Sequence, residues 1–173
     1  MEMIFATGNA HKVAEAQLIL GRALPDLIIL PHDGPEPVES GTSFLDNALI
    51  KARAAFEVTG KPAFADDSGI CVEVMGGAPG IFSAIWAGGR DDVVNRNLLL
   101  KQLEDIPAEN RKASFVCTIA LVEKAGETSF TGIWPGSISM TSLGNGGFGY
   151  DPVFIPEGFE VTAAELEPDV KSS

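Results

Sequence analysis

The chain is organised around the stretch Phe64-Ala65-Asp66-Asp67-Ser68-Gly69. An apolar run over 63–65 precedes the paired aspartates, and strand-forming residues resume at 70–74. This pattern predicts that one strand ends at Asp66-Asp67 and another begins after it. Two adjacent carboxylates in a strand context repel each other and are costly to desolvate, so the pair requires a counter-charge. The fragment alone is compatible with a solvated turn and with a metal or catalytic site.

Composition limits the classes of protein that the chain can represent. With 173 residues and 45% apolar content, it is expected to form a single domain over 1–173, with two lobes. Its formal charge of −12 argues against nucleic acid as a partner, because most of the surface would repel phosphates. A small anion is still an allowed ligand, provided that basic groups gather locally.

Three features predict a cytoplasmic protein. The longest apolar runs, such as 115–122, are shorter than the roughly 20 residues of a membrane helix, so no membrane partner is expected. The N-terminus, Met1-Glu2-Met3, lacks the basic start of a secretory signal. Cys71 and Cys117 lack Cys-x-x-Cys spacing and lie in strand-like contexts, which indicates buried thiols in a reducing compartment.

The first candidate binding segment is Thr7-Gly8-Asn9-Ala10-His11-Lys12. A strand over 3–6 precedes it, and apolar residues at helical spacing over 13–20 follow it, so it is predicted to be a strand-to-helix turn. Such a turn exposes backbone N–H groups that can bind phosphate, and Gly8 lets the phosphate approach. Lys12 opposes the helix dipole unless an anion lies nearby. A plain capped helix start is the alternative.

A second candidate is Lys51, within a helix predicted from about Phe44 to Val58. Ser43 or Thr42 is suited to cap this helix, and Gly60 closes it. Lys51 stands where the apolar row of the helix calls for another apolar residue. It either extends its alkyl chain over the surface or points into a polar cleft.

The remaining elements are predicted as a strand over 27–30, an Asp91-capped helix to about Glu104, a strand over 113–122, and a strand from Thr128 to about Trp134 that ends at Pro135-Gly136. Gly144–Gly149 matches Gly-x-Gly-x-x-Gly, but Tyr150-Asp151-Pro152 follows instead of a helix, which argues against a dinucleotide-binding turn. We interpret it as a loop in which Phe148 or Tyr150 stacks on a base, although aromatic residues are more often part of a core.

Together these segments resemble the inosine triphosphate pyrophosphatase family, whose members hydrolyse ITP, dITP and XTP to the monophosphate and pyrophosphate. The motifs that carry the resemblance are Thr7-Gly8-Asn9-x-x-Lys12, Glu39-x-Gly41-x-x-Phe44-x-x-Asn47-Ala48-x-x-Lys51-Ala52, Ala65-Asp66-Asp67-Ser68-Gly69, Gly77-x-Pro79-Gly80 and Gly147-Phe148-Gly149-Tyr150-Asp151-Pro152. The resemblance implies an α/β protein with two lobes, an elongated mixed sheet flanked by helices, a central substrate cleft and a homodimeric state.

The resemblance also implies a role for each site residue. Glu39 and Asp67 would hold Mg²⁺, and Asp67 would be the catalytic proton acceptor, although a carboxylate bound to metal is a poor base and Asp67 could serve as a ligand only. The substrate-binding residues would be Thr7, Gly8, Asn9, Ala10, His11, Lys12, Lys51, Ser68, Phe148, Gly149, Tyr150, Asp151 and Lys171.

The chain departs from the family pattern at two places. Ile85 stands where the family has arginine, so that one phosphate contact is missing or supplied by Arg90. Beyond Lys171 the family continues to a Ser-His-Arg that binds the purine 6-oxo group, and relative to it the chain is expected to be C-terminally truncated. The alternative to an enzyme is therefore a nucleotide-binding sensor module with weak or lost hydrolysis.

Overall fold

The computed structural model describes residues 1–167 and contains a mixed sheet flanked by helices. The strands are β1 (Glu2–Phe5), β2 (Ile28–Pro31), β3 (Ala63–Val72), β4 (Lys112–Glu123), β5 (Gly126–Ile138) and β6 (Phe154–Pro156), and the α-helices are α1 (Ala10–Ala23), α2 (Phe44–Thr59) and α3 (Asp92–Gln102). The strand order is β2-β1-β3-β4-β5-β6. β1 pairs in parallel with β2 and β3, whereas β5 and β6 are antiparallel. The predicted α/β class with a mixed sheet is confirmed.

The chain forms two compact units. The first unit comprises Met1–Asp67 and Cys117–Thr131, and the second comprises Ser68–Val116 and the chain from Gly132 onward. The boundary falls within β3, between the second aspartate of the central motif and the serine after it.

In the first unit, successive residues of β3 pack against different helices. Ala63 and Ala65 belong to a buried cluster that includes Ala52 and Ala55 of α2. Phe64 belongs to a second cluster, which includes Val13, Ala16 and Leu20 of α1, and its ring stacks on that of Phe5 with centroids 4.4 Å apart. Because side chains alternate along a strand, odd-numbered residues of this part of β3 face α2 and even-numbered residues face α1.

The second unit has its own core around Phe154, which is fully buried. The ring of Phe154 meets Phe115 and Trp134 edge to face, with centroid distances of 4.7 and 5.5 Å. Arg111 is also buried, and its guanidinium donates to the backbone carbonyls of Leu103, Ile106 and Ser139. This buried charge is therefore well hydrogen-bonded.

The predicted strand break at Asp66-Asp67 is wrong. β3 runs without interruption from Ala63 to Val72, so both aspartates lie inside the strand. The prediction placed the break where the apolar run 63–65 gives way to the paired aspartates. In the structure, alternation sends the two side chains to opposite faces, where each meets a different lysine.

The other elements differ from prediction mainly at their ends. The cap residues Ser43, Gly60 and Asp91 are confirmed. β5, by contrast, continues through Pro135-Gly136, so the predicted end of this strand is wrong. It continues because 136–138 pair with β6, and because the carbonyl of Pro135 accepts a hydrogen bond from Glu157, just past the end of β6. Pro135 therefore lies at the end of the pairing between β5 and β6, where its lack of an N–H group is tolerated.

Among residues 1–167, no helix is both long enough and apolar enough to cross a membrane.

Candidate active site

The segment 7–12 leads from the end of β1 into the first turn of α1, which confirms the predicted strand-to-helix turn. The hydroxyl of Thr7 accepts a hydrogen bond from the Asn9 N–H at 3.2 Å, and Asn9 Oδ1 accepts one from the Lys12 N–H at 3.4 Å. Ala10 and His11 are the first residues of α1. The turn thus places backbone N–H groups and Lys12 at the N-terminal end of α1, where an anion is favoured.

Lys12 is paired with the first aspartate of the central motif. Its Nζ lies 2.7 Å from Asp66 Oδ2, and the Asp66 side chain is largely buried. This contact supplies the negative charge that a lysine in the first turn of a helix requires.

Lys51 lies between two carboxylates. Its Nζ is 2.7 Å from Glu39 Oε1 and 3.8 Å from Asp67 Oδ1, and only 16% of its side chain is exposed. Of the two interpretations of Lys51, the structure therefore supports a side chain that points into a polar environment. The carboxylates of Glu39 and Asp67 approach the same nitrogen although 28 positions separate them in the sequence.

Asn47 joins the same cluster, and sequence reasoning did not assign it to the site. Its side chain is 97% buried, and it donates to Asp67 Oδ2 at 3.1 Å while accepting from the Gly41 N–H at 2.9 Å. Asn47 precedes Lys51 by one helical turn, so the two side chains lie on one face of α2. This spacing from Lys51 is the feature of the sequence that could have assigned Asn47 to the site.

The need for a counter-charge at the paired aspartates is confirmed twice. Asp66, which is even-numbered, meets Lys12 on the α1 face of β3. Asp67, which is odd-numbered, meets Lys51 and Asn47 on the α2 face. The two carboxylates thus belong to separate charge clusters.

A small cavity of about 30 Å³ lies beside the turn and is lined by Ala6, Thr7, Gly8, His32, Gly34, Glu36, Pro37 and Lys51. Glu36 Oε1 accepts a hydrogen bond from the Gly8 N–H at 3.3 Å, so a carboxylate contacts the N–H group expected to bind phosphate. Nothing in the sequence had singled out Glu36. A larger pocket of about 510 Å³, near Leu30 and Val58, contains none of the predicted site residues.

Cys117 lies close to the two charge clusters. It is half-buried and free, as is Cys71, so the prediction of buried thiols is wrong. Burial raises the pKa of the Cys117 thiol, and the negative charge of Asp66 raises this pKa further. Burial alone raises the pKa of Cys71. Both thiols are therefore protonated near neutral pH, which makes them poor nucleophiles.

In the second unit, the loop 147–151 presents one aromatic ring to solvent and buries the other. Phe148 is 74% exposed, whereas Tyr150 is buried and donates its hydroxyl to the Ser83 carbonyl at 2.7 Å. Burial raises the pKa of Tyr150 to about 12, with a smaller contribution from the Asp92 carboxylate. Asp151 is buried, and its Oδ2 accepts from the Phe148 N–H at 2.9 Å. Of the two aromatic residues, Phe148 is thus the exposed one.

The remaining predicted residues are placed as follows. Ser68 is exposed in β3, and Lys171 lies outside the described residues. No group of three or more histidine, cysteine, aspartate or glutamate side chains within 1–167 is arranged to hold a metal ion. The pair of Glu39 and Asp67 is therefore the acidic arrangement on which a metal proposal can rest.

Comparison with known proteins identifies the family to which this fold and site belong. The profile of the Ham1 family matches residues 3–173, so the chain belongs to the Ham1 family, which confirms the family recognised from its motifs. Its solved relatives include a HAM1 protein from Coxiella burnetii, with a TM-score of 0.92 and 39% identity over 99% of this chain and 90% of that one.

Named relatives are similarly close. The dITP/XTP pyrophosphatase of Leifsonia xyli is 55% identical over 175 residues, covering 100% of this chain and 88% of the relative. That of Mycobacterium tuberculosis is 47% identical over 178 residues, covering 99% and 87%. The structure of a nucleoside-triphosphatase / dITP/XTP pyrophosphatase from Mycobacterium abscessus has a TM-score of 0.87 and 43% identity, covering 99% of this chain and 92% of that one.

Proposed function

We propose that the protein hydrolyses deaminated purine nucleoside triphosphates, namely ITP, dITP and XTP, to the monophosphate and pyrophosphate, and so cleanses the nucleotide pool. Relatives that are 55% and 47% identical over nearly the whole chain are named dITP/XTP pyrophosphatases, which supports this class of hydrolase. The observation in this chain that carries the proposal is the approach of the Glu39 and Asp67 carboxylates to Lys51.

This arrangement suits Mg²⁺ by the chemistry of its donors. Carboxylate oxygens are the ligands that Mg²⁺ prefers, and the ion is commonly held by one or two carboxylates together with substrate phosphates. The ammonium group of Lys51 already lies between these carboxylates, which shows that the pair accommodates positive charge. We propose that Glu39 and Asp67 hold Mg²⁺, which would neutralise charge on the triphosphate oxygens.

The basic and N–H groups of the first unit would bind the triphosphate. The turn 7–12 offers its backbone N–H groups, and Lys12 and Lys51 offer ammonium groups that can exchange carboxylate partners for phosphate oxygens. Asp67, held by Asn47, would orient the water that attacks the α-phosphorus. The bond from the α-phosphorus to the bridging oxygen breaks, pyrophosphate leaves, and Asp67 or solvent accepts the proton of the water.

The loop 147–151 would contact the base and sugar of the substrate. Phe148 would stack on the purine, and Gly149, Tyr150 and Asp151 would form the loop that contacts base and sugar. Ser68 and Lys171 complete the proposed substrate-binding set. We further propose a cytoplasmic homodimer, a state that light scattering after size-exclusion chromatography would test.

A substrate panel tests the proposed function. We expect pyrophosphate release from ITP, dITP and XTP with Mg²⁺, and much less from ATP and GTP. Chelation with EDTA should abolish release and added Mg²⁺ should restore it. Tight binding of these nucleotides without release of pyrophosphate would instead identify a sensor module. Equal turnover of all five nucleotides would contradict the proposed base selectivity.

A further inference from the structure

We propose that Asp92 and Arg96, here called the α3 pair, are positioning residues that fix the loop carrying Phe148 and thereby set the affinity for the base. This inference rests on the proposed function, in which Phe148 stacks on the purine. The α3 pair belongs to none of the motifs that identify the family.

Both residues bind the backbone of Gly149, one at its N–H and the other at its carbonyl. The Gly149 N–H donates to Asp92 Oδ2 at 2.9 Å, and the Gly149 carbonyl accepts from Arg96 Nη1 at 3.0 Å. Asp92 and Arg96 are four positions apart in α3, so they project from one face of the helix. One helical turn therefore holds both polar backbone groups of the residue after Phe148.

The loop depends on such contacts because its own residues restrict it weakly. Gly147 and Gly149 flank Phe148 and have φ angles of +70° and +58°, values that glycine adopts at little cost but that leave the unfolded loop with many conformations. Phe148 itself is 74% exposed, so that the fixed backbone on either side of it matters for the position of its ring. Hydrogen bonds from the α3 pair and from Asp151 to the loop backbone fix the peptide groups on either side of Phe148, and so help to orient its ring.

Arg96 makes its contact to Gly149 at an evident cost. Among the described residues, its Nε is the one buried side-chain nitrogen or oxygen without a hydrogen-bond partner. A buried donor left without a partner is unfavourable, and such groups in native structures call for an explanation. The bond from Nη1 to the loop provides one, because the guanidinium is placed for Gly149 rather than for its own full hydrogen bonding.

The consequence is specific to the base. Loss of the α3 pair would leave the triphosphate-binding groups unchanged, since these lie in the first unit. The KM for ITP should therefore rise by about fivefold for each hydrogen bond removed, while kcat changes little. Inorganic tripolyphosphate, which has no base, should inhibit the variants and the wild type with the same Ki.

The test compares Asp92→Ala and Arg96→Ala with the conservative Asp92→Asn, whose amide oxygen can still accept from Gly149. Asn97→Ala, at an exposed position of the same helix, is the matched control. We expect both alanine variants to raise the KM and the equilibrium Kd for ITP, Asp92→Asn to recover most of the loss, and Asn97→Ala to behave as the wild type. Circular dichroism and the melting temperature verify the fold.

The proposal is overturned if the alanine variants bind ITP as tightly as the wild type, or if the tripolyphosphate Ki rises as much as the Kd for ITP. Failure of the proposed function is distinguishable, because it would appear as absent pyrophosphate release by the wild type. In that case the Kd for ITP still decides: a rise in the alanine variants supports the proposal, and wild-type protein that binds no ITP contradicts it.

Discussion

The two units prepare for a ligand in different ways. In the first unit, Lys12 and Lys51 are held by carboxylates that are distant in sequence, so charge and position are set together. In the second unit, a glycine-rich loop is held through its backbone, and the exposed ring of Phe148 carries no charge. We therefore expect the first region to govern turnover and the second to govern selection of the base.

Asp67→Asn should have the largest effect, and this effect should be on turnover and not on the fold. We expect kcat with ITP to fall by about 10²- to 10⁴-fold, the range typical of removing a group that acts on the attacking water. The fold should persist, because an amide of the same size can still contact Asn47 and Lys51. Steady-state kinetics with ITP and circular dichroism measure the two outcomes.

Asp66→Asn is the matched comparison for this variant, since it makes the same change one residue earlier on the other face of β3. Because Asp66 contacts Lys12, we expect it to act mainly on KM. Near wild-type turnover by Asp67→Asn would contradict the catalytic assignment, and identical kinetics of the two variants would contradict the separation of the faces.

Phe148→Ala should weaken binding of the nucleotide without affecting the phosphate site. Stacking of a base on an aromatic ring contributes about 1–3 kcal/mol, so the KM for ITP should rise by roughly tenfold or more. Phe148→Tyr keeps the ring and should retain the wild-type KM. An equal loss of affinity for ITP and for inorganic tripolyphosphate would show that Phe148 does not distinguish base from phosphate.

Tyr150→Phe should make the free energy of unfolding less dependent on pH in the alkaline range. The pKa of Tyr150 in the folded protein is raised to about 12, from about 10 in the unfolded chain. The neutral phenol therefore stabilises the fold below pH 10, and this contribution, on the order of 2–3 kcal/mol, is lost as the pH rises toward 12. Unfolding by urea at pH 9 and at pH 11 should show a smaller loss for Tyr150→Phe than for the wild type.

Spectroscopy checks the same pKa directly, because Tyr150 is the single tyrosine in the sequence. The tyrosinate absorbance near 295 nm should appear with a midpoint near pH 12 in the folded protein and near pH 10 in urea. A midpoint near 10 in both states would mean that the phenol is not buried.

Glu36→Gln should have the smallest effect, and in the favourable direction. The Glu36 carboxylate binds the Gly8 N–H, which a substrate phosphate would also use. Removal of its charge should lower the Ki of inorganic tripolyphosphate about twofold, because exposed charge interactions are weak. Glu15→Gln, an equal charge change at an exposed position of α1, is the control and should leave the Ki unchanged. If tripolyphosphate inhibits Glu36→Gln more weakly than the wild type, the carboxylate of Glu36 does not compete with phosphate for the Gly8 N–H.

Much of this arrangement could be predicted from local patterns. The turn 7–12, the caps of α2 and α3 and the need for positive charge at Asp66-Asp67 follow from spacing, capping preference and electrostatics. These features depend on residues near one another in sequence or on the chemistry of one residue type. They were therefore available without knowledge of the tertiary structure.

The features that sequence reasoning missed depend on tertiary contacts. The continuity of β3 through two aspartates could be recognised only once Lys12 and Lys51 were known to lie on opposite faces. The contact of Glu36 with Gly8 crosses 28 positions with no intervening pattern. The α3 pair binds the backbone of the loop. Every residue type except proline has the same backbone groups, so the sequence of the loop gives no sign of this contact.

The alternation of Asp66 and Asp67 along β3 has a consequence for how this gene segment can vary. Substitution at either position changes one cluster, but insertion or deletion of a single codon just before the pair would turn each acid toward the helix that now serves its neighbour. Both clusters would then fail at once. Natural variants of this chain should accordingly accumulate length changes in the loops and avoid them between Ala63 and Asp67.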